Sequence, residues 1–90
     1  MKITTNVFGS DLAIKQPFTL DLDSPTLRDV LQALKKGQKG PWNRVIREDL
    51  SLEEGCVILV NGRNVATLDR LDTNIKEGDE ITLTVLVAGG

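Results

Sequence analysis

Apolar and polar residues alternate in two segments near the start of the chain, as they do in strands that bury one face. In the first segment, residues 2–8, one side carries Ile3, Thr5 and Val7. In the second, residues 18–22, a phenylalanine and two leucines alternate with a threonine and an aspartate. Because only a modest connection separates these segments, we predict that the two strands form a hairpin.

A helix is predicted next, since apolar residues recur at helical spacing and form one stripe: Leu27, Val30, Leu31 and Leu34. Ser24 can cap the start of this helix with its hydroxyl group. Pro25 suits the first helical position, where its missing N–H costs nothing. Gly37 is a natural stop, and the two lysines before it suit the negative end of the helix dipole. We expect the apolar stripe to face the sheet.

Residues 37–54 are the least regular part of the chain. Val45, Ile46 and Leu50 are apolar positions that indicate a short helix or a turn there. Trp42 follows a glycine and a proline, and we expect it to cover a satellite cluster of apolar side chains rather than to serve as a ligand platform.

Three further strands are predicted in the second half of the chain. The continuous apolar run Val57–Val60 is typical of an interior strand covered on both faces. The Asn61-Gly62 pair after it favours a tight turn, because both residue types tolerate positive φ. We expect a short strand at residues 65–68 and, after a turn at residues 76–79, a last strand at residues 80–87.

The predicted order of elements is strand, strand, helix, then three strands. A helix placed there can cross one face of the sheet and leave the first and last strands free to pair in parallel. This order predicts an α+β fold of the β-grasp type, with a mixed sheet of about five strands on one main helix. We expect residues 1–87 to form this domain and residues 88–90 to form a flexible functional tail.

Composition argues against several classes of function. The net charge is −2, so there is no basic excess for binding nucleic acid. The chain has no histidine, which removes the commonest general base and the commonest metal ligand, and its single cysteine, Cys56, cannot form an internal disulfide. We expect a protein of the cytoplasm with no secretory signal, no membrane partner, no bound metal and no active site of its own.

The last three residues, Ala88-Gly89-Gly90, suggest where the chemistry lies. Glycines at a terminus pack nothing and are costly to order, which makes little sense for a structural segment. A terminal carboxylate is ionised at neutral pH and is a poor electrophile, but conversion to an acyl-adenylate gives it a good leaving group. A tail without side chains can enter a narrow channel and present an unshielded carbonyl group.

Four segments together resemble the MoaD family, within the superfamily of ubiquitin-like sulfur carriers that also includes ThiS. They are Ile58–Val65 with its Asn-Gly-Arg turn, Leu71-Asp72-Thr73, Glu77-Gly78-Asp79-Glu80 and Val87-Ala88-Gly89-Gly90. The resemblance covers the whole chain in element order and is dense from Val57 onward. The combination of the two turns with the terminal Val-Ala-Gly-Gly is more specific than the glycine pair alone.

The resemblance implies a sulfur carrier that is the small subunit of molybdopterin synthase. Gly90 would be adenylated by a ubiquitin-activating-type enzyme, which uses ATP, and then converted to a thiocarboxylate. The thiocarboxylate would donate sulfur to a pterin precursor in the large synthase subunit, for molybdenum or tungsten cofactor biosynthesis. Gly89 and Ala88 would form a slim neck that Val87 anchors to the sheet. The carrier itself would hold no cofactor.

One departure from the family pattern concerns the choice of partner. Family members that serve molybdopterin synthase often carry Phe-Pro-Pro before the final Val-Ala-Gly-Gly, whereas this chain has Thr84-Val85-Leu86. Some relatives instead modify lysine side chains of target proteins or supply sulfur for tRNA thiolation. The chain is therefore also compatible with a protein modifier or tRNA-thiolation carrier that uses the same activated glycine, or with an inert interaction domain.

The residues next to the tail and on the sheet are candidates for binding these partners. Leu59, Leu86 and Thr84 are expected to lie on an outer sheet face that contacts the activating enzyme or the synthase; the alternative is that the leucines belong to the core. Arg63 follows an interior strand and is a candidate for pairing with a carboxylate of a partner. Without a histidine nearby in sequence, Cys56 is expected to be structural.

Overall fold

A computed structural model describes residues 1–9, 13–37, 42 and 45–85. Five strands form one mixed sheet: β1 (Lys2–Phe8), β2 (Ala13–Thr19), β3 (Cys56–Val60), β4 (Arg63–Asn64) and β5 (Glu80–Val85). Their order across the sheet is β2-β1-β5-β3-β4, with β1 and β5 parallel and every other pair antiparallel. The helix α1 (Leu27–Gly37) packs on one face, which confirms the β-grasp fold.

The position of β2 differs from its prediction at residues 18–22. The strand begins five residues earlier, at Ala13, and ends at Thr19. It lies at the edge of the sheet, where most of its side chains are exposed and only Ile14 and Phe18 are half-buried. An edge strand buries too little to show clear alternation, and Leu20, which is buried, follows the strand instead of belonging to it.

The start of α1 also differs from its prediction. The helix begins at Leu27, not at Pro25, and Thr26 occupies the capping position in place of Ser24. The carboxylate of Asp29 accepts hydrogen bonds from the Thr26 backbone N–H (2.9 Å) and hydroxyl group (3.3 Å). This resembles one half of a capping box, with an acidic residue in the first turn that also suits the helix dipole.

Replacement of Asp29 by alanine tests this cap. We expect Asp29→Ala to lower the free energy of unfolding by about 1 kcal/mol, because the first turn loses two hydrogen bonds and a favourable charge. Ser24→Ala is the control and should change it by less than about 0.5 kcal/mol, because Ser24 is exposed. Urea unfolding followed by circular dichroism measures both free energies of unfolding. A loss of stability in Ser24→Ala as large as that in Asp29→Ala would show that Ser24 also caps the helix.

The core lies between the sheet and α1. All four residues of the predicted helical stripe are buried, together with inward-facing residues of β1, β3 and β5: Ile3, Val7, Ile58, Val60, Ile81 and Leu83. The prediction that Trp42 covers a satellite cluster is wrong: its side chain is 2% exposed and belongs to this main core. Residues between the helix and β3 therefore complete the core.

Residues 45–53 form a small hairpin, which we call the flap. Ile46 and Leu52 pair across it as an isolated antiparallel bridge, and both Ile46 and Leu50 are buried. Arg47 makes two side-chain hydrogen bonds to Glu53, of 3.3 and 3.2 Å, which raises the pKa of the arginine and lowers that of the glutamate. The prediction of a short helix or a turn at these apolar positions is confirmed: Val45 is helical, and Leu50 lies in the loop between Ile46 and Leu52.

The predicted strand at β3 and the turn after it are confirmed, but β3 is not covered on both faces, since Val57 and Leu59 are only half-buried. The strand predicted at residues 65–68 is wrong. The strand there is the two-residue β4, and Val65–Thr67 forms a 3-10 helix, followed by a second at Arg70–Asp72. The reason is local: the Asn64 side chain accepts a hydrogen bond from the Ala66 backbone N–H (2.9 Å) and caps the first of these helices.

Candidate functional site

The described part of the chain ends in β5, and the pairing of β5 determines which residues surround this end. Parallel pairing with β1 places Phe8 beside Thr84, and antiparallel pairing with β3 places Cys56 beside Val85. Val85 is the last described residue. The predicted site residues that follow it lie outside the described part of the chain: Leu86, Val87, Ala88, Gly89 and Gly90. The domain boundary at residue 87 lies outside it too.

Leu59 and Thr84, the two predicted partner-binding residues on strands, share the sheet face opposite α1, which we call the outer face. The register pairs Leu59 with Thr82 and Val57 with Thr84, and residues paired in this way project on the same side. Leu59, Val57 and Thr84 are half-buried. The structure therefore brings Leu59 and Thr84 onto one surface and leaves part of each side chain accessible.

Phe8 is a residue of this surface that the sequence analysis missed. It is 47% exposed, and its neighbours across the sheet are Thr84 on β5 and Ala13 on β2. A signal for it existed in the alternation of β1, because Phe8 falls on the side that otherwise carries Lys2, Thr4 and Asn6. A phenylalanine on a polar strand face is unusual, and here it lies at the exit of the tail.

A buried polar pair lies at the centre of the outer face. The Asn6 side-chain amide donates a 3.2 Å hydrogen bond to the Thr82 hydroxyl group, and both residues are buried. Next to them, the Lys15 ammonium group lies 3.8 Å from the Glu80 carboxylate in an exposed ion pair. The outer face is therefore polar towards the start of β5 and more apolar towards its end, where the tail begins.

Arg63 lies apart from this surface. It is exposed, and its partner in the register is Val60, whose side chain is buried on the α1 side of the sheet. It lies at the end of the sheet away from the tail, beside the turn at Asn61-Gly62. A role for Arg63 in partner binding would therefore involve a different part of the surface from Leu59 and Thr84.

The two turns that carried the family resemblance hold each other together. The Asn61 side chain donates a 3.0 Å hydrogen bond to the Asp79 carboxylate and accepts a 2.9 Å hydrogen bond from the Glu80 backbone N–H. Gly62 and Gly78 have φ values of 84°, which suit glycine. These motif residues fasten β3 to the start of β5, so they are structural and lie at the end opposite the tail.

Cys56 lies next to Val85 in the register but has the properties of an unreactive thiol. It is half-buried, and burial, with a smaller contribution from the charge of Glu53, raises the pKa of its thiol group. A raised pKa leaves less thiolate at neutral pH, which is the reverse of what a nucleophilic cysteine needs. Its position agrees with the structural role predicted from the sequence.

The described residues offer surface and anchorage but no assembled catalytic group. Within residues 1–9, 13–37, 42 and 45–85, no three acidic or cysteine side chains are grouped closely enough to hold a metal ion. No helix in the described ranges is long and apolar enough to cross a membrane. What the described residues do provide is an accessible, partly apolar sheet face beside the end of β5.

The mixed five-stranded sheet with one helix is the β-grasp fold of ubiquitin-like proteins. Comparison with protein families identifies the particular group: residues 7–90 match the model of the ThiS family. The chain belongs to the ThiS family.

Individual relatives agree with this membership. The chain is 30% identical over 71 residues to a protein of Archaeoglobus fulgidus designated a sulfur carrier, covering 79% of this chain and 81% of that protein. It is 37% identical over 68 residues to small archaeal modifier protein 3 of Haloferax volcanii. This match covers 76% of this chain and 73% of that protein. The crystal structure of SAMP1 from H. volcanii superposes with a TM-score of 0.72 at 28% identity, covering all of both chains.

Proposed function

We propose that this protein is a sulfur carrier whose reactive group is the carboxylate of Gly90 and which has no active site of its own. The observation that carries the proposal is the match to the ThiS family, which extends to Gly90 and so includes the Val-Ala-Gly-Gly segment. The similarity to the A. fulgidus protein supports it. No described residue has to act as a catalyst, because the tail is the substrate of other proteins.

The proposed chemistry activates the carboxylate and then exchanges one oxygen for sulfur. In an adenylating enzyme, the Gly90 carboxylate attacks the α-phosphorus of ATP, and pyrophosphate leaves. A hydrosulfide equivalent then attacks the acyl carbon, the bond to AMP breaks, and a thiocarboxylate remains. The protein itself binds no cofactor in this scheme, and ATP is used by the activating enzyme. Glycine suits the step because it leaves the carbonyl carbon unshielded.

The acceptor that the MoaD resemblance favours is a pterin precursor held by the large subunit of molybdopterin synthase. In that role the carrier is the small synthase subunit, and the tail enters the active site of its partner. The chain lacks the Phe-Pro-Pro segment common in such subunits, so contacts other than that segment must secure the complex. We assign them to the outer face: Phe8, Val57 and Thr84 near the end of β5, and Leu59 beside Thr82.

Similarity to the small archaeal modifier protein 3 of H. volcanii, at 37% identity, favours a second candidate function. In this alternative, the same activated glycine forms an isopeptide bond with lysine side chains of target proteins, or the thiocarboxylate supplies sulfur for tRNA thiolation. Activation by adenylation is common to both candidates. They differ only in the acceptor, so the same tail and the same outer face serve either function.

The intact mass of the protein purified from its own host tests the carrier chemistry. We expect a fraction of the molecules to be heavier by the difference between one sulfur and one oxygen atom, and fragmentation should localise the difference to Gly90. The fraction should rise after incubation with an adenylating enzyme of the same host, ATP and a sulfur source, and omission of ATP is the control. An unchanged carboxylate under all these conditions would contradict the proposal.

Two incubations with candidate acceptors then separate the functions: the thiocarboxylate form alone, and the unmodified protein with the adenylating enzyme and ATP, so that lysine attack on the acyl-adenylate can release AMP. Formation of a dithiolene pterin with the large synthase subunit would support the synthase role. A ladder of conjugates on lysine side chains, resistant to thiol reductants, would support the modifier role instead. Replacement of Phe8 by serine should weaken either reaction, because it removes an exposed apolar contact beside the tail, whereas Leu22→Ser is the matched control at a second exposed apolar residue.

A further inference from the structure

A second feature of the molecule lies on the α1 side of the sheet, away from the outer face. It is a cavity of about 530 Å³, bounded by α1, the flap, β3 and the two 3-10 helices. Its lining is mainly aliphatic: Leu52, Val65 and Leu71 are half-buried and partly accessible, whereas Leu27, Leu31, Leu50 and Ile58 are buried. The volume lies within the range of roughly 300–1,000 Å³ that small-molecule sites occupy, and it is larger than one side chain would need.

The flap forms one side of this cavity, and hydrogen bonds hold it in place. Hydrogen bonds join Arg47 N–H to the Ser51 carbonyl oxygen (2.8 Å) and Glu53 N–H to the Val45 carbonyl oxygen (2.9 Å). The Lys35 ammonium group on α1 donates a 2.8 Å hydrogen bond to the Ile46 carbonyl oxygen. The flap is thus tied to itself and to the helix, and it holds Leu50 and Leu52 in place beside the open space.

Backbone strain is concentrated around the same cavity. Three residues other than glycine have positive φ in the described part of the chain: Leu50 (68°), Asn61 (52°) and Arg70 (52°). Asparagine tolerates this conformation, but leucine and arginine do not favour it. Two of these residues line the cavity: Leu50 belongs to the flap and Arg70 to the second 3-10 helix. Strain of this kind is typical of sites where a side chain must be presented to a ligand.

Two charged residues line the cavity, and their environments differ. The Asp49 carboxylate accepts hydrogen bonds from the Ser51 hydroxyl group (2.6 Å) and backbone N–H (3.0 Å), which lower its pKa. The exposed Arg70 side chain makes no hydrogen bond or ion pair with any other described residue. The Asp49 carboxylate is therefore already hydrogen-bonded within its own turn, whereas the Arg70 guanidinium group is available to pair with an anion.

We propose that this cavity binds an aliphatic carboxylate, with the hydrocarbon chain among the leucines and the carboxylate group paired with Arg70. Aliphatic walls favour a hydrocarbon body because burial of apolar surface is favourable and needs no polar partners. A guanidinium group pairs well with a carboxylate through charge-assisted hydrogen bonds.

A chain-length series tests the apolar part of the site. Hexanoate, octanoate and decanoate are titrated, below their micelle concentrations, into the full-length protein, and amide shifts in NMR spectra report binding. We expect affinity to rise roughly fourfold for each added methylene group until the cavity is full. Shifts should centre on Leu31, Leu50 and Leu71. Absence of saturable shifts at these residues, or shifts confined to the outer face, would overturn the proposal.

Cys56 supplies an independent readout, because it is the only cysteine of the chain and lines the cavity. Saturating decanoate should slow alkylation of Cys56 by iodoacetamide at least about threefold. Ala66→Trp, at an exposed residue of the lining, should fill part of the cavity and remove both the protection and the NMR shifts. Circular dichroism confirms that this surface variant is folded. Full protection in Ala66→Trp would show that decanoate binds elsewhere.

Arginine variants test the head group. Arg70→Gln should weaken decanoate binding roughly three- to fivefold, the effect of losing one exposed ion pair. Arg63→Gln removes the same charge outside the cavity and should leave the affinity unchanged. Decylamine should bind more weakly than decanoate to the unaltered protein. Equal losses in the two variants, or tighter binding of the amine, would overturn the assignment of Arg70.

Discussion

Deletion of Gly89 and Gly90 is expected to abolish thiocarboxylate formation while leaving the free energy of unfolding within about 0.5 kcal/mol of that of the full chain. The chemical loss is complete because the shortened chain ends at Ala88 and no longer presents the glycine carboxylate that the activating enzyme would adenylate. The small effect on stability follows because glycine has no side chain to bury. Carrier chemistry and folding should therefore separate in this one variant.

Mass spectrometry after incubation with the adenylating enzyme, ATP and a sulfur source measures the chemistry, and urea unfolding measures the stability. Gly37→Ala is the control: it removes a glycine at the end of α1, where an added Cβ meets no atom within 4 Å, so sulfuration should continue. Sulfuration of the deletion variant at the level of the full chain would contradict the assignment of Gly90. A large loss of stability would mean that the glycines have a structural role.

Replacement of Trp42 by alanine is expected to lower the free energy of unfolding by about 3–5 kcal/mol. The side chain is 2% exposed and packs in the main core, so truncation loses its buried apolar surface and leaves a cavity that the sheet and helix cannot fully close. Such a loss is a large part of the total stability of a small domain, which is commonly 5–15 kcal/mol.

Urea unfolding followed by circular dichroism measures this loss, since the variant has no tryptophan fluorescence. Trp42→Phe is the matched control and should cost clearly less, because an aromatic ring still occupies most of the space. The unaltered protein should show blue-shifted fluorescence from its single tryptophan that moves to the red on unfolding. A loss below about 1 kcal/mol in Trp42→Ala would contradict the placement of this residue in the main core.

The errors of the sequence analysis share a physical cause. The strand predicted at residues 18–22 was placed on alternation, but the real β2 is an exposed edge strand that contains Pro17 and buries little. The cap predicted at Ser24 was chemically reasonable. In the structure, however, Thr26 donates hydrogen bonds from its backbone N–H and its hydroxyl group to the carboxylate of Asp29, three residues later in the chain. In both places several local solutions were compatible with the residues, and long-range contacts selected one. Pairing with β1 fixes β2, and an isolated bridge from Thr26 to Asn74, with a 2.8 Å hydrogen bond from Leu27 N–H to the Thr73 carbonyl oxygen, fixes the start of α1.

The sequence by itself determined the properties that depend on neighbours along the chain. The apolar stripe of α1, the alternation of β1 and the continuous run of β3 predict their elements because each pattern must bury one face or both. The Asn61-Gly62 turn was predictable because its positive φ values suit those residue types. The proposed chemistry of Gly90 was also suggested by sequence, since it depends on an end group and not on an assembled pocket.

Only the tertiary structure decided which distant segments meet. Phe8 and Thr84 are neighbours because β1 and β5 pair in parallel, and periodicity within each strand carries no information on that pairing. The cavity beside Arg70 is assembled from α1, the flap, β3 and two 3-10 helices, so no single stretch of sequence encodes it. Local patterns specify the elements, whereas the surfaces between elements arise from the contacts that form when they pack.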